Sequence, residues 1–160
     1  MAITLIGLDL LQLESLRIEP SHLDGMPVAP GALPPPFILE SAVRALREGK
    51  PTLWFSPFAF SADGLKQVVG TGGFKGSPVA GRVEIGYGVA EPLRGRGFAT
   101  AAVCGLLQVA FAAPGVGEVL AETAVDNVSS RRVVEKAGFR RVGHRATDAD
   151  GIVEQWLRSR

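Results

Sequence analysis

The chain has 160 residues, which suits one domain with one apolar core, and we expect a single domain over residues 1–160. Its net charge is +1 with acidic and basic residues interspersed, so no nucleic-acid-binding surface is predicted. No apolar run reaches membrane-spanning length, and the N-terminus lacks the basic segment of a signal peptide. Cys104 is the only cysteine, so no internal disulfide is possible; these features predict a cytoplasmic protein without membrane partners. We expect Cys104 to be a small buried side chain.

The first part of the chain alternates short regular segments with a proline-rich connection. Residues 3–6 predict a strand, and Asp9 is a good N-cap for a short helix after it. Residues 19–36 contain six prolines and predict an irregular loop, whereas residues 37–47 predict a helix. Long connections of this kind often bind a ligand. The alternative is a surface excursion packed by Leu23, Met26 and Leu33, and both interpretations stay open.

Three strands are predicted to follow. Residues 53–60 are rich in aromatic side chains and predict a strand, which Pro57 restricts to an edge or a bulge. The pair Asp63 and Gly64 predicts a hairpin turn into a second strand at 65–74. A turn over residues 76–81 then leads to a third strand. Because short turns join the three strands, we expect antiparallel neighbours.

The third strand, residues 83–89, has two different faces. Val83, Ile85, Tyr87 and Val89 lie on one face, and Glu84, Gly86 and Gly88 lie on the other. Glycine packs nothing in a strand, so two glycines on one face indicate either a bulge or a ligand that comes close to the backbone.

A glycine-rich turn at residues 94–97 leads from this strand into a helix. Apolar residues follow at the spacing of one helical face: Val103, Leu106, Leu107, Ala110 and Phe111. Unpaired N–H groups in such a turn and the positive end of the helix dipole favour phosphate binding. The dinucleotide-binding fingerprint fails because Thr100 stands where its third glycine belongs, and the P-loop fails because the turn has no lysine.

The last third of the chain predicts a strand at 117–125, a helix that begins after Asn127, and two strands at 139–144 and 152–157. The element order indicates a mixed, mostly antiparallel α/β sheet with one helical crossover. Two features could serve a homodimer as easily as a core: an edge strand ending in Trp156, and the aromatic residues Trp54, Phe55 and Phe58.

Two motifs resemble those of the GNAT superfamily of N-acetyltransferases. The first is R-x-x-G-x-A at Arg94, Gly97 and Ala99, directly after the E-I-G-Y-x-V strand. The second is D-N-x-x-S at 126–130, followed by E-K-A-G-F at 135–139. The chain is most similar to the branch containing ribosomal-protein N-terminal acetyltransferases. The resemblance implies a GNAT-like sheet with helices on both faces and a splayed central strand.

The resemblance also implies acetyl-CoA as co-substrate and an amine acceptor. We expect the long proline-rich connection to contact the acceptor, and no metal site is predicted because the sequence has no metal-ligand spacing. The acceptor is either a protein N-terminus or a small-molecule amine. By the same resemblance, acetyl-CoA is bound by Gly88, Val89, Arg94, Gly95, Arg96, Gly97, Phe98, Ala99, Thr100, Asn127 and Ser130.

Acetyl transfer needs a hydrogen-bond donor that stabilises the oxyanion, a way to supply the amine in its neutral form, and a thiolate that can leave. The resemblance implies that the donor is a backbone N–H at Gly88 or Val89. Glu84 is the candidate base, although a strand glutamate is as often solvated or paired with a cation. Many relatives have a tyrosine where this chain has Val134, so Ser130 is the candidate contact to the sulfur, with helix capping as its alternative role. His22 and His144 have no metal-ligand spacing around them.

The sequence is therefore consistent with two functions. The first is an acetyl-CoA-dependent N-acetyltransferase that acts by direct transfer in a ternary complex. The second is a catalytically silent acyl-CoA-binding regulatory module, which Val134 keeps open.

Overall fold

The computed structural model describes residues 2–160, and its first strand and helix lie where the sequence predicts them. Asp9 and Gln12 form a capping box, because each side chain accepts a hydrogen bond from the other residue's backbone N–H. The elements of the first half are β1 Ile3–Gly7, α1 Leu10–Ile18, β2 His22–Leu23, β3 Met26–Pro27, α2 Pro36–Arg47, α3 Thr52–Phe55, β4 Phe58–Ala62 and β5 Gln67–Phe74. Those of the second half are β6 Arg82–Val89, α4 Phe98–Ala112, β7 Glu118–Ala124, α5 Val128–Lys136, β8 Arg140–Thr147 and β9 Gly151–Ser159.

Seven strands form one sheet in the order β1-β4-β5-β6-β7-β9-β8, and β2 and β3 form a separate hairpin. Five of the six neighbouring pairs in the large sheet are antiparallel. The exception is the parallel pair of β6 and β7, which α4 connects as a crossover. The predicted mixed and mostly antiparallel sheet is confirmed.

Strands β6 and β7 separate before either of them ends. Their pairing runs from Arg82 opposite Glu118 to Ile85 opposite Ala121, whereas β6 continues to Val89. On its other side β6 stays paired with β5, up to Val89 opposite Gly70. The last four residues of β6 therefore have one open side, as expected for a splayed central strand.

Apolar side chains pack on both faces of the sheet. On one face, α4 and α5 cover Phe60 and Val69; on the other, α1 and α2 cover the neighbouring residues Ala59 and Val68. Helix α4 contributes six buried residues at the spacing of one helical face: Phe98, Ala102, Val103, Leu106, Leu107 and Ala110. Within residues 2–160, no helix is both long enough and apolar enough to cross a membrane.

Three predictions of the first subsection are wrong. The strand predicted at 53–60 is divided: residues Thr52–Phe55 form a helical turn in which Pro51 C=O accepts hydrogen bonds from Trp54 and Phe55, and β4 begins only after Pro57. Strand β9 is not an edge, because β8 pairs with it, and Trp156 is buried with its indole N–H donating to Thr123 Oγ1 at 3.0 Å. Cys104 is exposed, because it lies on the side of α4 opposite the six buried positions.

The proline-rich connection packs against the core in its first part and lines a cleft in its last part. Its first part forms the β2–β3 hairpin and packs Leu23 into the core, with Met26 and Leu33 partly buried against it. Its last part, residues 31–35, lines a cleft on the sheet. This second part is held in place by Thr71, whose Oγ1 donates to Ala32 C=O at 3.2 Å.

Candidate active site

A cleft of about 590 Å³ opens beside the free half of β6. We call it the α4 cleft, because the end of β6, the turn at 94–97, the first turn of α4 and one face of α5 line it. Ten residues that the sequence assigned to acetyl-CoA lie along it: Gly88, Val89, Arg94, Gly95, Gly97, Phe98, Ala99, Thr100, Asn127 and Ser130. Arg96 is exposed and does not line this cleft.

The turn before α4 exposes backbone N–H groups to the cleft. Gly95 and Gly97 adopt left-handed conformations with φ of 78° and 84°, which a side chain would strain. A Cβ added to either glycine would have no atom within 4 Å, so the space above the turn is open. Among the described residues no side chain caps the start of α4. The turn is tied to β6 by Arg94, whose Nε donates to Val89 C=O at 2.9 Å.

Three positively charged side chains line the α4 cleft. Arg94 comes from the turn, and Arg132 and Lys136 come from α5. The sequence analysis missed both α5 residues. Their signal was their spacing, because Ser129, Arg132, Val133 and Lys136 lie on one face of the helix that Asn127 caps, with its side chain accepting from the Ser130 N–H at 3.0 Å. The cleft therefore suits an anionic ligand that contacts both helices.

Tyr87 is a third functional candidate that the sequence analysis missed, after Arg132 and Lys136. It is the only tyrosine of the chain, and its hydroxyl lies 3.0 Å from Ser130 Oγ across the cleft. The sequence placed it on the apolar face of β6, where its ring does pack against the core. Burial raises the pKa of the Tyr87 phenol above its usual value, more than the hydrogen bond to Ser130 lowers it. The Tyr87 phenol therefore keeps its proton throughout the neutral range.

The two backbone N–H groups that the resemblance implies as donors to the oxyanion point in opposite directions. Ala90 N–H donates to Val69 C=O of β5 at 2.8 Å, and successive residues of a strand direct their N–H groups to opposite sides. The Gly88 N–H therefore points towards β5, and the Val89 N–H points towards the side that β7 has left. Val89 lies four residues beyond Ile85, the last residue of β6 that pairs with β7.

A second cleft of about 590 Å³ lies on the other side of the end of β6. We call it the α2 cleft, because α2, the 31–35 loop, Trp54 and Phe55 of α3, and the glycine-rich end of β5 line it. Its lining is mostly apolar, and its charged residues are Lys75 and Arg94. The two clefts share Tyr87, Gly88, Val89 and Arg94, so they meet at the splayed end of β6.

Glu84 lies on the predicted face of β6 but lines neither cleft. Its Oε2 lies 2.9 Å from Lys75 Nζ, so the carboxylate is paired with a cation that does line the α2 cleft. Val134 is fully buried, so the position where relatives have tyrosine faces the core. His22 and His144 are exposed and line neither cleft. Within residues 2–160, no cluster of His, Cys, Asp or Glu could hold a metal ion.

The family model described as "Acetyltransferase (GNAT) domain" matches residues 32–140, more than half of the chain. The chain belongs to the GNAT acetyltransferase family. The match includes α2, β6, the turn and α5, and so covers every residue that the two clefts share. A comparison with curated protein sequences gave no significant match.

Solved structures of other GNAT proteins share this fold over almost the whole chain. One is a chimera of the spermidine N-acetyltransferase SpeG from Vibrio cholerae and hSSAT, with 16% identity, 99% of this chain and 96% of the other covered, and a TM-score of 0.71. RimL, a ribosomal-protein alpha-N-acetyltransferase in complex with coenzyme A, has 13% identity, coverage of 99% and 94%, and a TM-score of 0.70. The aminoglycoside acetyltransferase AAC(6')-Ib in complex with coenzyme A has 21% identity, coverage of 99% and 95%, and a TM-score of 0.67. At these identities the likeness concerns the fold.

Proposed function

We propose that this GNAT protein is an acetyl-CoA-dependent N-acetyltransferase that transfers the acetyl group directly to a primary amine. The observation that carries the proposal is the meeting of the α4 cleft and the α2 cleft at Tyr87, Gly88 and Val89. An acetyl donor in the first cleft and an amine in the second would place the reacting atoms together. Holding two reactants in this way supplies much of the rate enhancement of a two-substrate enzyme.

The α4 cleft has the features that the pyrophosphate of acetyl-CoA requires. Two left-handed glycines open the turn, the start of α4 directs N–H groups to the same space, and Arg94, Arg132 and Lys136 supply positive charge. The RimL and AAC(6')-Ib structures, which share this fold, were solved with coenzyme A. We therefore assign the turn and the facing side of α5 to the cofactor.

Acetyl-CoA supplies the acetyl group as a thioester, whose thiolate leaves when a neutral amine attacks the carbonyl carbon. We assign the Val89 N–H to the carbonyl oxygen that gains charge, where one preorganised donor lowers the barrier by about 3 kcal/mol. Tyr87 is the candidate donor of a proton to the leaving sulfur, with Ser130 beside it at 3.0 Å. This pair takes the place of the tyrosine that position 134 lacks. The attacking nitrogen loses one proton to water as the amide forms, and water returns a proton to the Tyr87 phenol.

The α2 cleft helps to supply the amine in its neutral form. Apolar surroundings disfavour the charged ammonium, and the positive charge of Arg94 in the lining acts in the same direction. A strong base is therefore not essential. Glu84 stays a candidate base that would act through water, and Glu84→Gln tests this role: loss of turnover with unchanged acetyl-CoA binding supports it.

The proposal is tested by calorimetric titration with acetyl-CoA and with pantetheine, which lacks the pyrophosphate. We expect micromolar binding of acetyl-CoA, about 8 kcal/mol, and no comparable binding of pantetheine. The Gly97→Val variant should lose acetyl-CoA binding, because its side chain occupies the open space above the turn.

Gly115→Val is the matched control for Gly97→Val. Gly115 has φ of 82°, its added Cβ also meets no atom within 4 Å, and it lies in the turn after α4, outside the α4 cleft. Both variants carry the same kind of backbone strain, so only the Gly97 change should remove binding. Normal binding by Gly97→Val contradicts the placement of the site. Binding without turnover on any amine supports the silent-module alternative instead.

A further inference from the structure

The α2 cleft has a lining that restricts its occupant. Its walls are formed by Ile38, Ala42 and Ala45 of α2 and by Trp54 and Phe74, whose rings pack edge to face with centroids 4.8 Å apart. Ile38 is 38% exposed although it is a large apolar side chain. These residues offer a rigid apolar surface rather than hydrogen-bonding groups.

The polar groups of the α2 cleft are largely engaged within the protein. Thr71 Oγ1 donates to Ala32 C=O at 3.2 Å, and the Tyr87 hydroxyl is paired with Ser130 Oγ. Ser41 Oγ accepts a hydrogen bond from Arg44 at 3.4 Å. An acceptor bearing many hydroxyl or amide groups would lose its hydrogen bonds to water here without replacing them.

The charges of the α2 cleft have one sign. The charged residues that line it are Lys75 and Arg94, and none of its lining residues within 2–160 carries a carboxylate. The carboxylate of Glu84 lies outside the lining and is paired with Lys75 at 2.9 Å, which offsets the charge of Lys75. A second ammonium group on an acceptor would therefore find no carboxylate in the lining, and Arg94 would repel it.

We infer that the α2 cleft selects a small arylalkyl- or branched alkylamine that carries one amino group on an uncharged apolar body. This inference rests on the proposed function, because it names the acceptor class of that reaction. A cleft of about 590 Å³ is of the size that holds one small molecule. The cleft meets the α4 cleft at Gly88, so the amino group would lie at the junction and the apolar body against Trp54 and Ile38.

The test compares 2-phenylethylamine with 1,4-diaminobutane at saturating acetyl-CoA. Both are primary amines, and they differ in whether the body carries a ring or a second ammonium. We expect a kcat/KM at least about tenfold higher for 2-phenylethylamine. Calorimetric titration of each amine into protein saturated with coenzyme A should show the same order of affinity without depending on turnover.

Two variants on α2 test whether the cleft itself is responsible. Ile38→Glu places a carboxylate in the cleft at a partly exposed position and should raise kcat/KM for 1,4-diaminobutane while lowering it for 2-phenylethylamine. Phe37→Glu is the matched control, because Phe37 is the preceding residue of α2, is 62% exposed and does not line the cleft. It should leave both values unchanged.

The inference is wrong if wild-type protein acetylates 1,4-diaminobutane as well as 2-phenylethylamine, or if it neither binds nor acetylates 2-phenylethylamine. The first outcome leaves the proposed N-acetyltransferase function standing, because an amine is still acetylated. Failure of the proposed function is recognised separately, by the absence of acetyl-CoA binding in the titration described above.

Discussion

At the scale of single residues, Tyr87 and Ser130 are a pair from two different elements that meet at the junction of the clefts. Tyr87 projects from β6 and Ser130 from the first turn of α5, and their hydroxyl oxygens lie 3.0 Å apart. Because the Asn127 side chain accepts a hydrogen bond from the Ser130 N–H, the start of α5 is fixed and Ser130 is held towards Tyr87.

The first prediction concerns this pair. Tyr87→Phe keeps the packed ring and removes only the hydroxyl, so we expect kcat to fall by about tenfold to a hundredfold with little change in the KM for acetyl-CoA. A thiolate is a tolerable leaving group, which keeps the loss moderate. Since burial raises the pKa of Tyr87, the phenol keeps its proton through neutral and mildly alkaline pH, and wild-type kcat should show no loss from Tyr87 ionisation below pH of about 10.

A double variant separates joint action from independent action. If the two hydroxyls form one proton-donating unit, Tyr87→Phe combined with Ser130→Ala should be no slower than the slower single variant. Losses that multiply would show that the residues act separately. An unchanged kcat in Tyr87→Phe would remove Tyr87 from the mechanism.

The second prediction concerns Gly88, which lines both clefts. A Cβ added there meets no atom within 4 Å, and its φ lies outside the left-handed region, so Gly88→Ala should change the free energy of unfolding by less than about 0.5 kcal/mol. The added methyl group stands where donor and acceptor meet, and a displacement of about 1 Å there can cost a hundredfold in rate. Gly117→Ala is the control, because Gly117 is equally open but lies outside both clefts. Equal activity of the two variants would contradict the position of the junction.

At the scale of elements, a buried carboxylate holds α5 against the C-terminal strands. Glu154 of β9 is 4% exposed, with Oε1 at 3.3 Å from Arg131 of α5 and Oε2 at 3.2 Å from Arg141 of β8. The Arg131 Nε is buried and forms no hydrogen bond within the described residues, so the charge of Glu154 is what compensates it. The helix that carries Ser130 therefore depends on a residue far from either cleft.

The third prediction follows from this contact. Glu154→Ala leaves Arg131 without its countercharge, so we expect a loss of about 2 kcal/mol in the free energy of unfolding. Glu118→Ala provides the comparison, because Glu118 also lies on a strand and pairs with an arginine, Arg82 at 3.1 Å, but at an exposed position where the loss should stay below about 1 kcal/mol. Urea unfolding of both variants measures the two values, and equal losses would contradict a special role for Glu154.

The sequence predicts those elements whose signals are local. Asp9, the apolar spacing in α4 and the Asn127 cap lie next to the helices they define, and the glycines at 95 and 97 mark their own turn. What the sequence does not predict depends on contacts between distant segments. The sequence predicts Tyr87 as a core residue, because its contact with Ser130 depends on how α5 packs beside β6. It predicts Cys104 as buried, because the exposure of Cys104 depends on the orientation of α4. The α2 cleft combines loop, helix and strand residues, so no single stretch predicts it.

At the scale of the whole molecule, different halves of the chain form the two clefts. The α4 cleft is built from residues 87–136, whereas residues 31–76 supply most of the α2 cleft. They meet only at the end of β6, where it remains paired with β5 and has separated from β7. In the proposed function the second half would hold the cofactor and the first half would select the acceptor, and the motifs that carry the resemblance lie mostly in the second half.

The fourth prediction follows from this arrangement. Because the proposed donor and acceptor sites are separate clefts that meet, we expect both substrates to be bound at once, and initial-rate plots with acetyl-CoA and amine should intersect rather than run parallel. The only cysteine, Cys104, is exposed on α4 and lines neither cleft, so Cys104→Ser should keep full activity. Mass spectrometry of the protein after incubation with acetyl-CoA alone should show no stable acetyl adduct on any residue that lines the α4 cleft or the α2 cleft. Parallel plots, or an acetylated protein that passes its acetyl group to an added amine, would show transfer through a covalent intermediate and contradict direct transfer.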